Sequence, residues 1–235
     1  MLAIFKRELK AYFTGVIGYV FLVIYLAVAG ILFSYTTMMS MSSDMSLYYT
    51  LMLIFTAIVL PLLTMKSFSE ERKMKTDQLV LTAPVSLPAM VLGKFLAPYV
   101  IYAGCTVLTS LYFLLLAPYA QLQFAILLGN AIAMLLVGCV FIAIGLFVSS
   151  LTENQLSAAI GTIAIILGFF GVGLVGALLP ANYWLRFVFD ALSIFTRFET
   201  FINGYFDLAS LLYYLSVAGV FFWLTIRVYD RRRFN

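Results

Sequence analysis

The chain has 235 residues, of which 64% are hydrophobic, 17% aromatic and only 10% charged. A soluble globular chain is about 45–50% apolar and about 25% charged, so these proportions exclude an ordinary water-soluble domain and make the bilayer the solvent. The formal net charge is +4 with no histidine, which excludes histidine-based catalysis, imidazole metal ligation and an imidazole pH switch.

The segment 1–13 puts Leu2, Phe5, Leu9 and Tyr12 or Phe13 on one helical face and Lys6, Arg7 and Lys10 on another, the pattern of a helix lying in the membrane interface. Charged residues then cut the chain into windows. A helix needs about 20 mostly apolar residues to span the hydrocarbon. The 33 uncharged residues between Lys10 and Asp44 hold a first span near 16–38, and the 21 between Asp44 and Lys66 a second near 47–65. A run of 33 is too long for a signal-peptide core of about 7–15 residues. The 58 residues between Lys94 and Glu153 fit two spans, near 91–116 and 124–149, broken around Pro118, Gln121 and Gln123. A fifth span falls near 156–179. The 19 residues between Asp207 and Arg227 hold a sixth, near 208–227. The expected fold is therefore an all-α integral membrane protein, one transmembrane domain of six helices over residues 1–235.

If the N-terminus is cytoplasmic, 12 of the 14 Lys and Arg fall on the inner side, leaving only Arg186 and Arg197 outside. The positive-inside rule then places both termini in the cytoplasm. Cys105 and Cys139 lie in apolar runs without CxxC spacing and read as small hydrophobes.

Most of the inner charge sits in one loop, Lys66 to Ser86. Ser69 is a candidate N-cap with Glu70 and Glu71 in the first helical turn, and Leu79, Leu81 and Pro84 return the chain toward the membrane. A second inner turn contains Thr152, Glu153, Asn154 and Gln155, in which Thr152 or Asn154 can cap the fifth span. Along that span Ser157, Gly161, Ala164, Gly168 and Gly171 recur at spacings of three and four. They make a small-residue face for close packing, either within the chain's own bundle or against a second copy. The formal G-x-G-x-x-G at Gly171, Gly173 and Gly176 follows no strand and lies inside an apolar span, so it reads as packing. The outer segment 180–207, with Tyr183, Trp184, Arg186, Phe187, Asp190, Arg197 and Glu199, reads as an interfacial cap on the bundle, with an outer gate as the alternative.

The run from Ser69 through Ser86, followed by Gly93-Lys94-Phe95-Leu96, resembles the first cytoplasmic loop of ABC type-2 exporter permeases. Phe5-Lys6-Arg7-Glu8-Leu9-Lys10 with Tyr12-Phe13 resembles the entry helix of that family, and Ser149 through Gln155 its turn between spans four and five. Phe198-Glu199 with Gly204 and Asp207 resembles the segment before its last span, and together these point to the gliding-motility-type (GldF-like) branch. One departure is Lys75, where many relatives carry glycine before the threonine.

The resemblance implies a half-transporter, with two copies or two related chains seated on a pair of cytosolic ATPases in a bacterial cytoplasmic (inner) membrane. It implies that the helix around Glu70 to Leu81 couples the two, with Ser69, Glu70, Glu71, Arg72, Thr76, Leu79, Leu81 and Pro84 as coupling residues. Glu71 and Arg72 would contact the ATPase, and Leu79 and Leu81 would anchor the loop. Thr152 to Gln155 would be a minor second contact. Replacing Glu71 and Arg72 by alanine is then expected to leave folding nearly unchanged, because exposed charges contribute at most about 0–1 kcal/mol. The chain has no G-x-x-x-x-G-K-[ST] loop of its own, so ATP and Mg would sit on the partner, and this chain would bind no cofactor, metal or nucleic acid. The alternative, a gradient-driven carrier or channel subunit, would place ionisable groups at membrane depth, whereas Lys94 reads as a residue near a helix start that reaches the interface. An intramembrane enzyme would need a nucleophile, base or metal cluster, and no such cluster is legible here.

Overall fold

The computed structural model describes residues 1–39, 44–76, 86–116, 124–180 and 184–234, and within them it is helical with no strands. Six helices among the described residues are long and apolar enough to cross a membrane. The first helix, α1 (Leu2–Thr14), is the amphipathic segment. It stops at Gly15, an extended residue, after which α2 (Val16–Phe33) begins and runs on through a π-helical turn, Ser34–Met38. A Cβ at Gly18 would lie 2.5 Å from the carbonyl oxygen of Tyr12, so only glycine lets α2 pass this close to the last turn of α1. Tyr12 then donates from its hydroxyl to the carbonyl of Leu63 (2.9 Å), pinning the corner to the third helix.

That third helix, α3 (Ser46–Thr64), is separated by Met65 alone from α4 (Lys66–Lys73). The second span thus continues past the expected end at residue 65 into the charged loop. The third span, α5 (Leu87–Ser110), starts about one turn earlier than residue 91, because Ser86-Leu87-Pro88 begins the helix with proline in the first turn, where its missing N–H costs nothing. It ends in a 3-10 segment, Leu111–Leu116. The remaining spans are α6 (Phe124–Leu151), α7 (Gln155–Leu178) and α10 (Leu208–Phe234), with the short helices α8 (Trp184–Leu192) and α9 (Ile194–Ile202) between the last two. The proposed break at residues 117–123 and Tyr183 lie outside the described residues. An even number of spans puts α1, α4, the α6–α7 turn and the end of α10 at one face of the bundle, and α8 and α9 at the other.

Helix α6 is the axis. Of its most apolar window 67% is buried, against 22% for α7 and for α10, so α6 is enclosed by protein while α7 and α10 present most of their surface outward. It packs on α3, α5, α7 and α10. Two glycines make this possible: a Cβ at Gly138 would lie 2.0 Å from Cε1 of Tyr102 on α5, and one at Gly145 would lie 2.1 Å from Oγ1 of Thr64 on α3. The buried rings of Phe33, Tyr48 and Phe113 meet edge-on with centroids 5.0–6.4 Å apart, an arrangement favoured by the aromatic quadrupole.

At the far end α8 and α9 lie against α7. The last two glycines of the G-x-G-x-x-G run explain that approach, since a Cβ at Gly173 would meet Ser193 Oγ at 2.3 Å and one at Gly176 would meet Asp190 Oδ1 at 2.8 Å. The sequence motif is thus a packing surface. Ser193 caps α9 by accepting from the Thr196 N–H, and Tyr214 of α10 donates to the Ile194 carbonyl (2.9 Å).

Candidate functional site

The site is the face that gathers α1, α4, the α6–α7 turn and the C-terminal end of α10. Its centre is Lys94, about two turns into α5. The side chain is fully buried, and its ammonium donates to Glu8 Oε1 (3.1 Å) and the Ser67 carbonyl (2.7 Å) and forms an ion pair with Glu71 Oε1 (2.9 Å). Two of the three ammonium N–H donors thus make hydrogen bonds, and two carboxylates balance the buried charge. The Phe68 ring lies 5.0 Å from the same nitrogen. Arg7 closes the group by donating to both Glu8 and Glu71 at 2.7 Å. Two cations and two carboxylates from α1, α4 and α5 therefore form one neutral cluster.

The neighbouring Gly93 belongs to the same device. A Cβ there would lie 3.0 Å from Ile4 Cγ2, so glycine brings α1 onto α5 at the point where Glu8 reaches Lys94. Burial alone would raise the pKa of Glu8, but the charge of Lys94, the hydrogen bond from Arg7 and their smaller companion effects outweigh it and hold the carboxyl below its ordinary value.

A second set of bonds ties α4 to α6, α7 and α10. The Ser149 hydroxyl accepts from the N–H groups of Phe68 and Ser69 (both 3.1 Å) and donates to the Met65 carbonyl (3.1 Å), bridging the junction of α3 and α4. Arg72 pairs with Glu153 (3.1 Å) and donates to the Leu151 carbonyl. Arg232 donates to the Ser150 carbonyl (2.6 Å) and lies over the Tyr229 ring, which in turn packs on Phe68. Asn154 caps α7 by accepting from the Leu156 N–H (3.0 Å). Thr152 donates weakly back to the Val148 carbonyl and Gln155 is the first residue of α7.

Several expectations change on this geometry. Ser69 is not an N-cap. It is buried in the interior of α4 and donates to the Met65 carbonyl, because α3 runs almost directly into α4 and leaves no free helix start to cap. Glu71 is not a free surface charge, its side chain being 19% exposed and bonded to Lys94 and Arg7. Arg72 is committed to the α6–α7 turn. Replacing Glu71 and Arg72 together is therefore expected to lower stability, contrary to the estimate for exposed charges. Lys94 does not reach out to the interface but turns inward to Glu8 and Glu71. On α4 and the α6–α7 turn this face leaves Lys73, Met74, Lys75, Glu153 and Asn154 exposed, with Glu70 half-exposed beside Lys66 (3.9 Å), and on α1 and α10 Lys6, Lys10, Arg231 and Arg233 are exposed as well. Leu79, Leu81 and Pro84 lie outside the described residues.

The end of α4 explains the departure at position 75. The Lys75 N–H bonds the Arg72 carbonyl (3.1 Å), the Thr76 N–H bonds the Glu71 carbonyl (2.9 Å), and Lys75 has φ +57°, so the turn is a Schellman cap with lysine where glycine is favoured. Lys75→Gly is expected to stabilise this helix end by about 1 kcal/mol. Slower amide exchange at Lys75 and Thr76 would register it, and faster exchange would show the cap is not formed.

The small-residue face of α7 does not pack within the chain. Ser157, Ala164 and Gly168 are exposed, and nothing outside α7 lies within 4 Å of a Cβ built at Gly168 or Gly171. Among the glycines of this face, a Cβ built at Gly161 would lie 3.0 Å from Val148 Cγ1. The residues that α7 buries are Ala158, Ala159, Thr162, Ile166 and Gly176, about a quarter-turn or more around the helix.

The model of the ABC-2 family transporter protein matches residues 17–232, all six spans. The chain belongs to the ABC-2 transporter family. No curated protein matches it. Membership makes the chain a multi-pass membrane permease of an ABC transporter, without catalysis of its own, and implies an ABC ATPase as its partner in general terms. The matched region begins after α1, yet α1 supplies two of the three charges around Lys94.

Proposed function

We propose that this permease works in an ATP-driven exporter of the bacterial cytoplasmic membrane, with both termini in the cytoplasm, and that the face built from α4 and the α6–α7 turn receives the ATPase. ATP and Mg reside on that separate subunit. The observation that carries the reading is the Arg72–Glu153 pair: the two inner segments are joined into one polar surface at 3.1 Å, so a subunit docking on one also loads the other. Lys73, Lys75 and Asn154 are exposed on that surface to meet it, with Glu153 paired to Arg72, while Glu71 and Arg72 pass the load inward, Glu71 through Lys94 to α1 and α5. Coupling of this kind requires contacts that differ between two states of the ATPase. A second permease chain packs on the outward face of α7 through Ser157, Ala164, Gly168 and Gly171. Within the family, the motifs quoted above favour the gliding-motility-type (GldF-like) branch.

Cysteines placed at Lys73 and Asn154 test the docking face in membranes where the chain is coexpressed with its genomic neighbours. Both positions are expected to crosslink to an ATPase subunit. Labelling of lipid alone at both would remove this reading. Of the two native cysteines Cys105 is buried and Cys139 half-buried, and replacing both by alanine removes their background.

A further inference from the structure

Two open grooves adjoin on the α1 side of the bundle, away from the exposed end of α4. One, of about 600 Å³, lies between the α1–α2 corner and the start of α4, and is lined by Glu8, Thr14, Gly15, Lys66, Ser67 and Glu70 among others. The other, of about 220 Å³, runs between α2 and α3 and has only apolar walls, including Val20, Phe21 and Ile24 on one side and Val59 and Leu62 on the other. They share Ile17, and Met65 of the second adjoins Lys66 of the first. We propose that they form one site for an aminophospholipid of the leaflet adjoining the termini, its headgroup held between Lys66 and Glu70 and one acyl chain lying between α2 and α3.

The argument is one of matched chemistry along a line. From Ile17 to Ile24 the apolar groove follows α2 for about 10 Å, the depth of an upper acyl segment below its headgroup. Val20 and Ile24 open outward at 46% and 43% exposure, so a lipid chain enters sideways from the bilayer. The polar mouth carries both signs of charge. Glu8 is already committed to Lys94 and Arg7, but Lys66 and Glu70 touch only at 3.9 Å and are 36% and 45% exposed. A loose pair of this kind is satisfied by a ligand with a phosphate for Lys66 and a primary ammonium for Glu70. An anionic glycerol headgroup would leave Glu70 and Glu8 facing negative charge. A trimethylated amine cannot donate a hydrogen bond to Glu70.

Native mass spectrometry of the full chain, released from nanodiscs of phosphatidylethanolamine, phosphatidylcholine or phosphatidylglycerol, tests the proposal. One phosphatidylethanolamine per chain is expected to be retained about tenfold more strongly than either other lipid, a preference worth about 1.4 kcal/mol. Lys66→Gln with Glu70→Gln should abolish that headgroup preference while the thermal midpoint stays within a few degrees of the parent. Val20→Trp, which fills the apolar groove, should reduce retention of all three lipids. Equal retention of the three lipids by the parent, or a preference that survives both variants, would overturn the site. So would a disulfide between two copies formed from Val20→Cys in phosphatidylethanolamine nanodiscs, because a second chain would then cover the groove.

Discussion

Lys94→Met is expected to destabilise the purified protein by about 3 kcal/mol, among the largest effects of any single charge in the chain. Methionine retains the apolar stem, so the loss reports the ammonium, including its contact with the Phe68 ring. Glu8 and Glu71, with side chains only 14% and 19% exposed, would be left side by side with Arg7 as their one counter-charge, and the Ser67 carbonyl would lose its donor. The effect of pH checks the cause. In the parent, Glu8 is held below its ordinary pKa. Its contribution is therefore fully present above the ordinary glutamate value and is lost as the pH falls through the depressed one. Without Lys94 its largest source of depression is gone, so protonation of Glu8 relieves the repulsion and the penalty of the variant should shrink toward pH 5. Thermal unfolding in detergent at pH 8 and pH 5 would measure both. A penalty under about 1 kcal/mol, or one independent of pH, would mean that the cluster behaves as surface charge.

Gly138→Ala should cost as much through packing alone. The added methyl would lie 2.0 Å from Cε1, 2.6 Å from Cδ1 and 2.8 Å from Cζ of Tyr102. That ring is fully buried and cannot swing aside without breaking the hydrogen bond from its hydroxyl to the Met134 carbonyl (2.8 Å), so α5 and α6 must separate. Overpacking of this kind typically costs about 1–3 kcal/mol, and two helix backbones moving apart places it at the upper end. The double variant Gly138→Ala with Tyr102→Leu provides the control, because a smaller side chain gives the methyl room. It should be more stable than Gly138→Ala alone. If the two replacements were simply additive in thermal unfolding, the contact would not be the source of the loss.

These two sites also mark how far the sequence could be read. Six spans were legible because the test is nearly local: charges are costly in hydrocarbon, so uncharged windows of sufficient length disclose the helices one by one. The amphipathic character of α1, the capping role available to Asn154 and the inner loops rest on periodicity or spacing within a few residues. Gly93-Lys94 was legible only as a family resemblance, and Gly138 had no distinguishing mark inside its apolar run.

The sequence by itself determined that this is a six-span helical membrane protein with its charge gathered on a few loops, since composition and window length depend on neither partner nor packing. Only the tertiary structure decided what those charges do. Glu8, Glu71 and Lys94 lie 23 to 86 positions apart, and a charge at the edge of a span has the same local pattern whether it faces water or an opposite charge. The difference arises when α1 and α4 close over α5, which removes water from Lys94 and makes its two carboxylate partners and the Ser67 carbonyl obligatory. Ser69 follows the same logic: its N-cap pattern is sound locally, but α3 supplies the preceding turn and leaves no free helix start to cap.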